Sequence, residues 1–148
     1  MSLRMTLVAS IAALACVATS GCGTPVSLTV KSYTSNPTFA VNSYLVSGSK
    51  DAILVDGQFT RGDAEKVVAM VKESGKTLRS IFLTHAHPDH YLGLDVIASA
   101  FPGVPIQATA EVVADFQAKG PAALASAKAN FGAANIAEKL ATIAPISQ

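Results

Sequence analysis

Polarity alternates along SLTVKSY, from Ser27 to Tyr33, which predicts a strand because side chains two apart share a face. FAVNSYLVSG and DAILVD follow as two more strand-like runs, and GSK between them suits a hairpin turn. The period then changes. Ala64, Val67, Val68 and Val71 recur at helical spacing, with Thr60 and Asp63 placed as a capping box and Gly75 at the closing position. LRSIFLT reads as a buried strand, and Leu94, Ile97, Ala98 and Phe101 as one face of a second helix that Pro102–Gly103 stops. VPIQAT predicts a short strand, and Thr109 caps a helix through Phe116 that ends near Gly120–Pro121. The alanine-rich remainder predicts further helix, with Leu124, Ala127 and Phe131, then Ile136, Leu140 and Ile143, as apolar ridges. The order β-β-β-α-β-α-β-α predicts an α/β layered domain.

Ahead of these elements the chain has a different character. After Arg4, no Asp, Glu, Lys, Arg or His occurs from Met5 to Val30, and Leu7 to Ala18 is an apolar run of signal-peptide length. It is short for a membrane span, and Gly21, Gly23 and Pro25 break any helix beyond it. The expectation is a signal peptide over residues 1–22 and an exported protein over 23–148, against the competing reading of an uncleaved anchor helix. Cys22 follows ATSG, which resembles a bacterial lipoprotein cleavage site, although Thr19 stands where an aliphatic residue is usual. Two processings stay open: lipidation of Cys22 with membrane anchoring, and ordinary cleavage with release into the periplasm. Cys16 leaves with the apolar run in either case, so no cysteine pair is expected to hold the fold.

Composition narrows the function classes. Of 148 residues, 14% are charged and 50% hydrophobic, so the chain can bury a core. A formal net charge of +1 offers no clustered basic surface, which argues against a nucleic-acid partner.

The chemistry is concentrated in FLTHAHPDHYLG, Phe82 to Gly93, which holds all three histidines. In an extended segment residues i and i+2 point the same way, so His85 and His87 present two imidazoles to one point beyond the strand. Pro88 helps turn the chain so that Asp89 and His90 face the same place. Imidazole nitrogen and carboxylate oxygen are the donors that a divalent ion such as zinc accepts.

THAHPDH resembles the H-x-H-x-D-H motif of the metallo-β-lactamase superfamily, and AILVDGQFT places Asp56 where that family carries an aspartate at the end of an earlier strand. The resemblance implies an αββα sandwich of which this chain matches the first half, a mixed sheet with helices. It implies that His85 and His87 bind one zinc ion, that Asp89 and His90 bind a second, and that Asp56 steadies the loop without binding metal. It further implies hydrolysis of an ester, thioester, lactone or lactam, by hydroxide generated at the metal and oriented by Asp89. His90 at the last motif position fits the glyoxalase-II-like, lactonase and some lactamase branches. Some relatives hold iron and carry out redox chemistry, and a non-catalytic lipoprotein binding metal or a partner through the same loop is the other alternative.

The family draws further ligands from its C-terminal part: a histidine, a bridging aspartate and a final histidine. No histidine follows His90 here, and Asp95, Glu111, Asp115 and Glu138 read as helix-surface residues. The chain is therefore expected to be fragmentary or degenerate, to bind metal weakly and turn over little, and to leave one sheet face uncovered. Its partner is expected to be a small-molecule substrate. Tyr33 to Phe39 reads as an inter-strand loop, with an entrance to the site as the alternative.

Overall fold

The computed structural model describes residues 27–35 and 40–147, so the expected signal peptide, Cys16, Cys22 and residues 36–39 lie outside the described residues. β1 (Thr29–Thr34), β2 (Asn42–Ser47) and β3 (Asp51–Val55) pair antiparallel; β4 (Thr77–Phe82), β5 (Ile106–Ala108) and β6 (Ala144–Pro145) then add in parallel. Strand order across the sheet follows chain order from β1 to β6. α1 (Arg61–Glu73) follows β3, α2 (Pro88–Tyr91) and α3 (Leu94–Ala100) follow β4, and α4 (Ala110–Phe131) follows β5. This is the α/β domain that the polarity pattern predicts, with the mixed sheet that the resemblance implies.

The pleat sorts side chains by burial. Ser43, Leu45 and Ser47 of β2 and Ala52 and Leu54 of β3 are buried, while Tyr44 and Ile53 between them are exposed. Leu78, Ile81, Ile106 and Ala108 extend the buried face, against which lie Ala64, Val67 and Val71 of α1 and Leu94 and Ile97 of α3. Each fully buried Leu, Ile or Val of this layer contributes about 1.5–3 kcal/mol relative to exposure. On the other face Val30, Val46 and Ile53 stand in one row across three strands, with Val30 63% and Ile53 42% exposed. An uncovered apolar face is what the half-sandwich expectation requires.

α1 starts where its cap dictates. The Thr60 side chain accepts the Asp63 backbone N–H at 3.1 Å, which satisfies one of the unpaired donors of the first turn. The reciprocal half of the predicted box differs. The Asp63 carboxylate accepts the Thr60 and Tyr33 hydroxyls, each at 2.6 Å, and so ties α1 to β1.

Two expectations at the C-terminal end are corrected. α4 does not end near Gly120–Pro121 but runs through to Phe131. Pro121 removes the bond to the carbonyl four residues back, yet Gln117 is exposed, so water can serve that oxygen. Gly120 has no Cβ to clash with the proline ring, and the missing atom also leaves room for Leu140. The second correction concerns 136–143, which is not helical. Gly132 breaks α4 with φ +85, a short 3-10 turn occupies Ala133–Asn135, and the chain then passes through bends at Ile136, Glu138 and Lys139 before β6. Ala141 and Ile143 are buried two residues apart, the period of a strand, and Ile146 N–H bonds the Ala108 carbonyl at 2.9 Å. The helical spacing of Ile136, Leu140 and Ile143 competed with an edge of β5 whose backbone groups needed partners.

Candidate metal centre

Parallel pairing of β3 with β4 brings the C-terminal ends of both strands to one place, with Val55 opposite Phe82. Asp56 N–H continues the ladder to the Phe82 carbonyl at 2.9 Å. The chain then turns sharply. Asp56 has φ +62 and Gln58 φ +74, a left-handed conformation that costs most residues about 1–2 kcal/mol and that aspartate tolerates better. The turn is held from outside by the segment beyond the histidines: Gly57 N–H donates to the His90 carbonyl at 2.7 Å and Gly93 N–H to the Gln58 carbonyl at 2.8 Å. The approach is too close for side chains. A Cβ on Gly93 would lie 2.2 Å from the Gly57 carbonyl oxygen. Gln58 is itself buried, its amide donating to the Val41 carbonyl at 3.1 Å and the Ser43 hydroxyl at 2.9 Å.

Asp56, only 4% exposed, is wired into the histidine loop. Its carboxylate accepts the Thr84 backbone N–H at 2.9 Å and the Thr84 hydroxyl at 2.8 and 3.0 Å, and it lies 2.9 Å from His90 Nδ1. These partners compensate a carboxylate that burial would otherwise disfavour. They also set proton positions. A carboxylate only accepts, so His90 Nδ1 carries a proton, and in the neutral ring the lone pair is left on Nε2. The Thr84 hydroxyl spends its one proton on Asp56, so at 2.9 Å from His85 Nδ1 it can only accept, and His85 too keeps its lone pair on Nε2. Burial first, and then the neighbouring His90 and His87 rings, hold the His85 imidazole below its ordinary pKa, which favours the neutral form that can act as a ligand.

The remaining positions follow from α2. His87 is its extended N-cap residue, Pro88 occupies its first turn, and Asp89 and His90 come next. The His85 ring centroid lies 4.7 Å from that of His87 and 4.1 Å from that of His90, as expected from the i, i+2 spacing and the proline turn. His90 Nε2 is 3.6 Å from the nearer Asp89 oxygen. Among the described residues no three histidine, cysteine, aspartate or glutamate side chains surround a common point closely enough to cage an ion. The cluster is a set of donors within reach of one another, not a finished cage. Its chemistry suits a divalent metal all the same: two imidazoles with fixed tautomers, a third beside them and a half-buried carboxylate. Asp95, Glu111, Asp115 and Glu138 add no hydrogen bond to this group; Asp115 pairs instead with Lys119 at 2.8 Å.

Two features escape a reading of the motif. Thr84, directly before the first histidine, bridges Asp56 and His85, and its only signal is a hydroxyl at the strand exit. Tyr91, directly after the last, is buried with its ring edge-on to Phe116 at 5.0 Å, and burial followed by the Asp89 charge pushes its phenol pKa up. The motif also does not reveal that Pro88 divides the surroundings. His85 and His87 line one cleft and Asp89 another, and Pro88 and Ala123 line both.

Known proteins of two kinds are similar to this chain. YobT, an uncharacterized protein of Bacillus subtilis (strain 168), is 41% identical over 64 residues, which are 43% of this chain and 27% of YobT. A probable metallo-hydrolase of Streptococcus pyogenes serotype M6 is 31% identical over 65 residues, 44% of this chain and 27% of that protein. This chain thus spans about a quarter of the length of the curated relatives it matches. Among solved structures, the B3 metallo-beta-lactamase BLEG-1 superposes with a TM-score of 0.59 at 24% identity, over 81% of this chain and 54% of that one. TTHA1623, in a di-iron-bound form, superposes with a TM-score of 0.57 at 24% identity, over 79% and 54%. At such identity the two structures establish the fold. The profile of the metallo-beta-lactamase superfamily matches residues 36–121, more than half of the sequence and the whole of the Asp56–His90 wiring, and this chain belongs to that superfamily.

Proposed function

We propose that the protein is an exported metal-dependent hydrolase in which His85, His87, Asp89 and His90 donate to the metal, zinc by preference, with two ions in the complete site. Its substrate is a small ester, thioester, lactone or lactam. The observation that carries this reading is the buried Asp56 carboxylate, which through Thr84 and His90 leaves two imidazoles with Nε2 lone pairs side by side. When bound, zinc supplies Lewis-acid polarisation of a carbonyl and lowers the pKa of water towards 7.

The chain's own residues do the rest. Asp56 fixes the orientation of His90 and, through Thr84, of His85. Histidine ligands that donate their other N–H in this way are held at one angle, in one tautomer. Asp89 has a half-exposed carboxylate able to orient a water and to take its proton. Residues 1–22 act as the signal peptide for export, ending either in release or in a lipid anchor on Cys22.

Calorimetric titration of zinc into the chain tests the core of the proposal. Uptake is expected, and the double variant His85→Ala, His87→Ala should lose it; absence of uptake by the parent chain would refute the reading. Iron suits the same donors and TTHA1623 carries two iron ions, so metal analysis of protein purified without added metal decides between them. Membrane fractionation of the parent and a Cys22→Ala variant tests anchoring: lipidation predicts that only the parent stays with the membrane.

A further inference from the structure

The small net charge predicts no clustered basic surface, yet the fold gathers one at the end of the sheet remote from the histidines. Thr29 at the start of β1 pairs with Ser47, next to the β2–β3 turn, and Asp51 at the start of β3 pairs with Thr77 at the start of β4. Five bases meet there: Lys31, Lys50, Lys72 in the last turn of α1, Lys76 and Arg79. Exposed ion pairs answer two of them, Arg79 with Asp51 at 2.8 Å and Lys31 with Glu73 at 3.3 Å. Lys76 donates to the Ser49 carbonyl at 2.9 Å, which leaves its charge in place, and Lys50 and Lys72 are exposed. The rest of the described residues runs the other way, with eight carboxylates against five Lys or Arg. An excess of three positive charges thus stands at one end of a molecule whose remainder is acidic.

The chain also enters the fold at this end. Leu28, 66% exposed, lies against Gly48, Asp51 and Arg79. Cys22 stands five residues before Ser27, and five residues of extended chain reach at most about 18 Å. A lipid on Cys22 therefore holds this end within about two Debye lengths of the membrane surface at physiological salt. We infer that the basic end of the sheet lies against the anionic phospholipid headgroups of the membrane that the anchor enters, with Lys50, Lys72 and Lys76 as the contacts. This rests on the lipid-anchor branch of the proposed function. Each lysine near such a surface adds electrostatic attraction to the hold of the acyl chains, and the attraction fades with distance and salt. Leu28 and Val30, both exposed, offer apolar area at the same edge. Seated this way, the histidine loop at the far end of β4 opens to water about 20 Å from the headgroups.

The test compares vesicle compositions. The full chain is cosedimented with phosphatidylcholine vesicles, alone or carrying about 30% phosphatidylglycerol, so that uptake of the apolar run from Leu7 to Ala18 is common to both. At about 0.05 M salt the anionic vesicles are expected to bind the chain at least ten times more tightly, and at about 0.5 M salt the difference should fall below twofold. Lys50→Glu with Lys76→Glu should lower the anionic preference at least fivefold. Lys119→Glu with Lys128→Glu, the same change in net charge made on α4, should leave it within twofold; matching melting temperatures establish that both variants stay folded. The salt dependence of the parent decides the matter even where a variant fails to fold. Equal binding to the two vesicles, an equal loss in both double variants, or tighter binding to a DNA oligonucleotide than to anionic vesicles would overturn the inference. The assay reads neither lipidation nor metal. A chain that stays with the membrane through Cys22 but ignores phosphatidylglycerol keeps its anchor and loses the docking surface. Anionic preference in a chain whose Cys22→Ala variant fractionates as the parent does overturns the anchor and leaves the surface standing.

Discussion

Asp56 does two jobs that a pair of substitutions can separate. Its backbone sits at φ +62, which asparagine tolerates and alanine does not, and its carboxylate holds Thr84 and His90. Asp56→Asn keeps the shape but removes the charge, so zinc affinity in calorimetry should fall about 10–100-fold with a modest loss of stability. Asp56→Ala should lose affinity similarly and in addition cost about 2–4 kcal/mol in urea denaturation, from left-handed strain and unpaired donors. Equal stability of the two variants would remove the backbone part of this account. Tyr33 gives a pH signature elsewhere in the molecule. Burial, then the hydrogen bond to Asp63 and its charge, push the phenol up to about 12 from an ordinary value near 10. A raised folded-state pKa stabilises below the unfolded value, and the benefit is lost as pH climbs from about 10 to about 12. Tyr33→Phe should therefore be less stable than the parent at pH 8, with the gap in urea midpoints narrowing as pH rises from about 10 to about 12.

At the level of elements, the crossing of the 56–58 turn over the α2–α3 junction is the tightest point near the site. Gly93→Ala places a methyl group against backbone and should destabilise by about 1–3 kcal/mol, with zinc affinity falling because His90 shifts. Gly62→Ala in α1 meets nothing within 4 Å and should stabilise by up to about 1 kcal/mol; thermal melts of both variants check the opposite signs. The contrast also shows what a sequence conveys. β1 to β4, α1 and α3 were legible because each carries its own period and punctuation, and the histidine cluster because its spacing alone brings the rings together. Thr84, Gly57, Gly93 and Gln58 were not, since their importance lies in contacts between the segment around residues 56–58 and the segment around residues 84–93, which are far apart in the chain. α4 was misread because Gly120–Pro121 is a local stop signal that packing of Val113, Phe116 and Ala127 overrides. The 136–143 segment was misread because an unpaired strand edge decides its conformation, and edges are invisible in a linear pattern.

For the molecule as a whole, the helices bury one face of the sheet and leave a row of Val30, Val46 and Ile53 facing outward. Exposed apolar patches of this kind favour association. Replacing Val30 and Ile53 together by lysine should lower concentration-dependent light scattering of the chain while moving its melting temperature little, because neither side chain is part of the buried layer. Unchanged scattering would show that the face is not adhesive. The sheet has one more property with a consequence. Each strand pairs with the one made just before it, from the first to the sixth, so no strand has to wait for a later one to find its neighbour. Asp56 and His90, the ends of the polar wiring, are 34 residues apart, and every hydrogen bond that aims the imidazoles lies between them. A ribosome extruding this polypeptide delivers the aiming apparatus as one uninterrupted stretch, so these histidines can be oriented before the longest helix has left the exit tunnel.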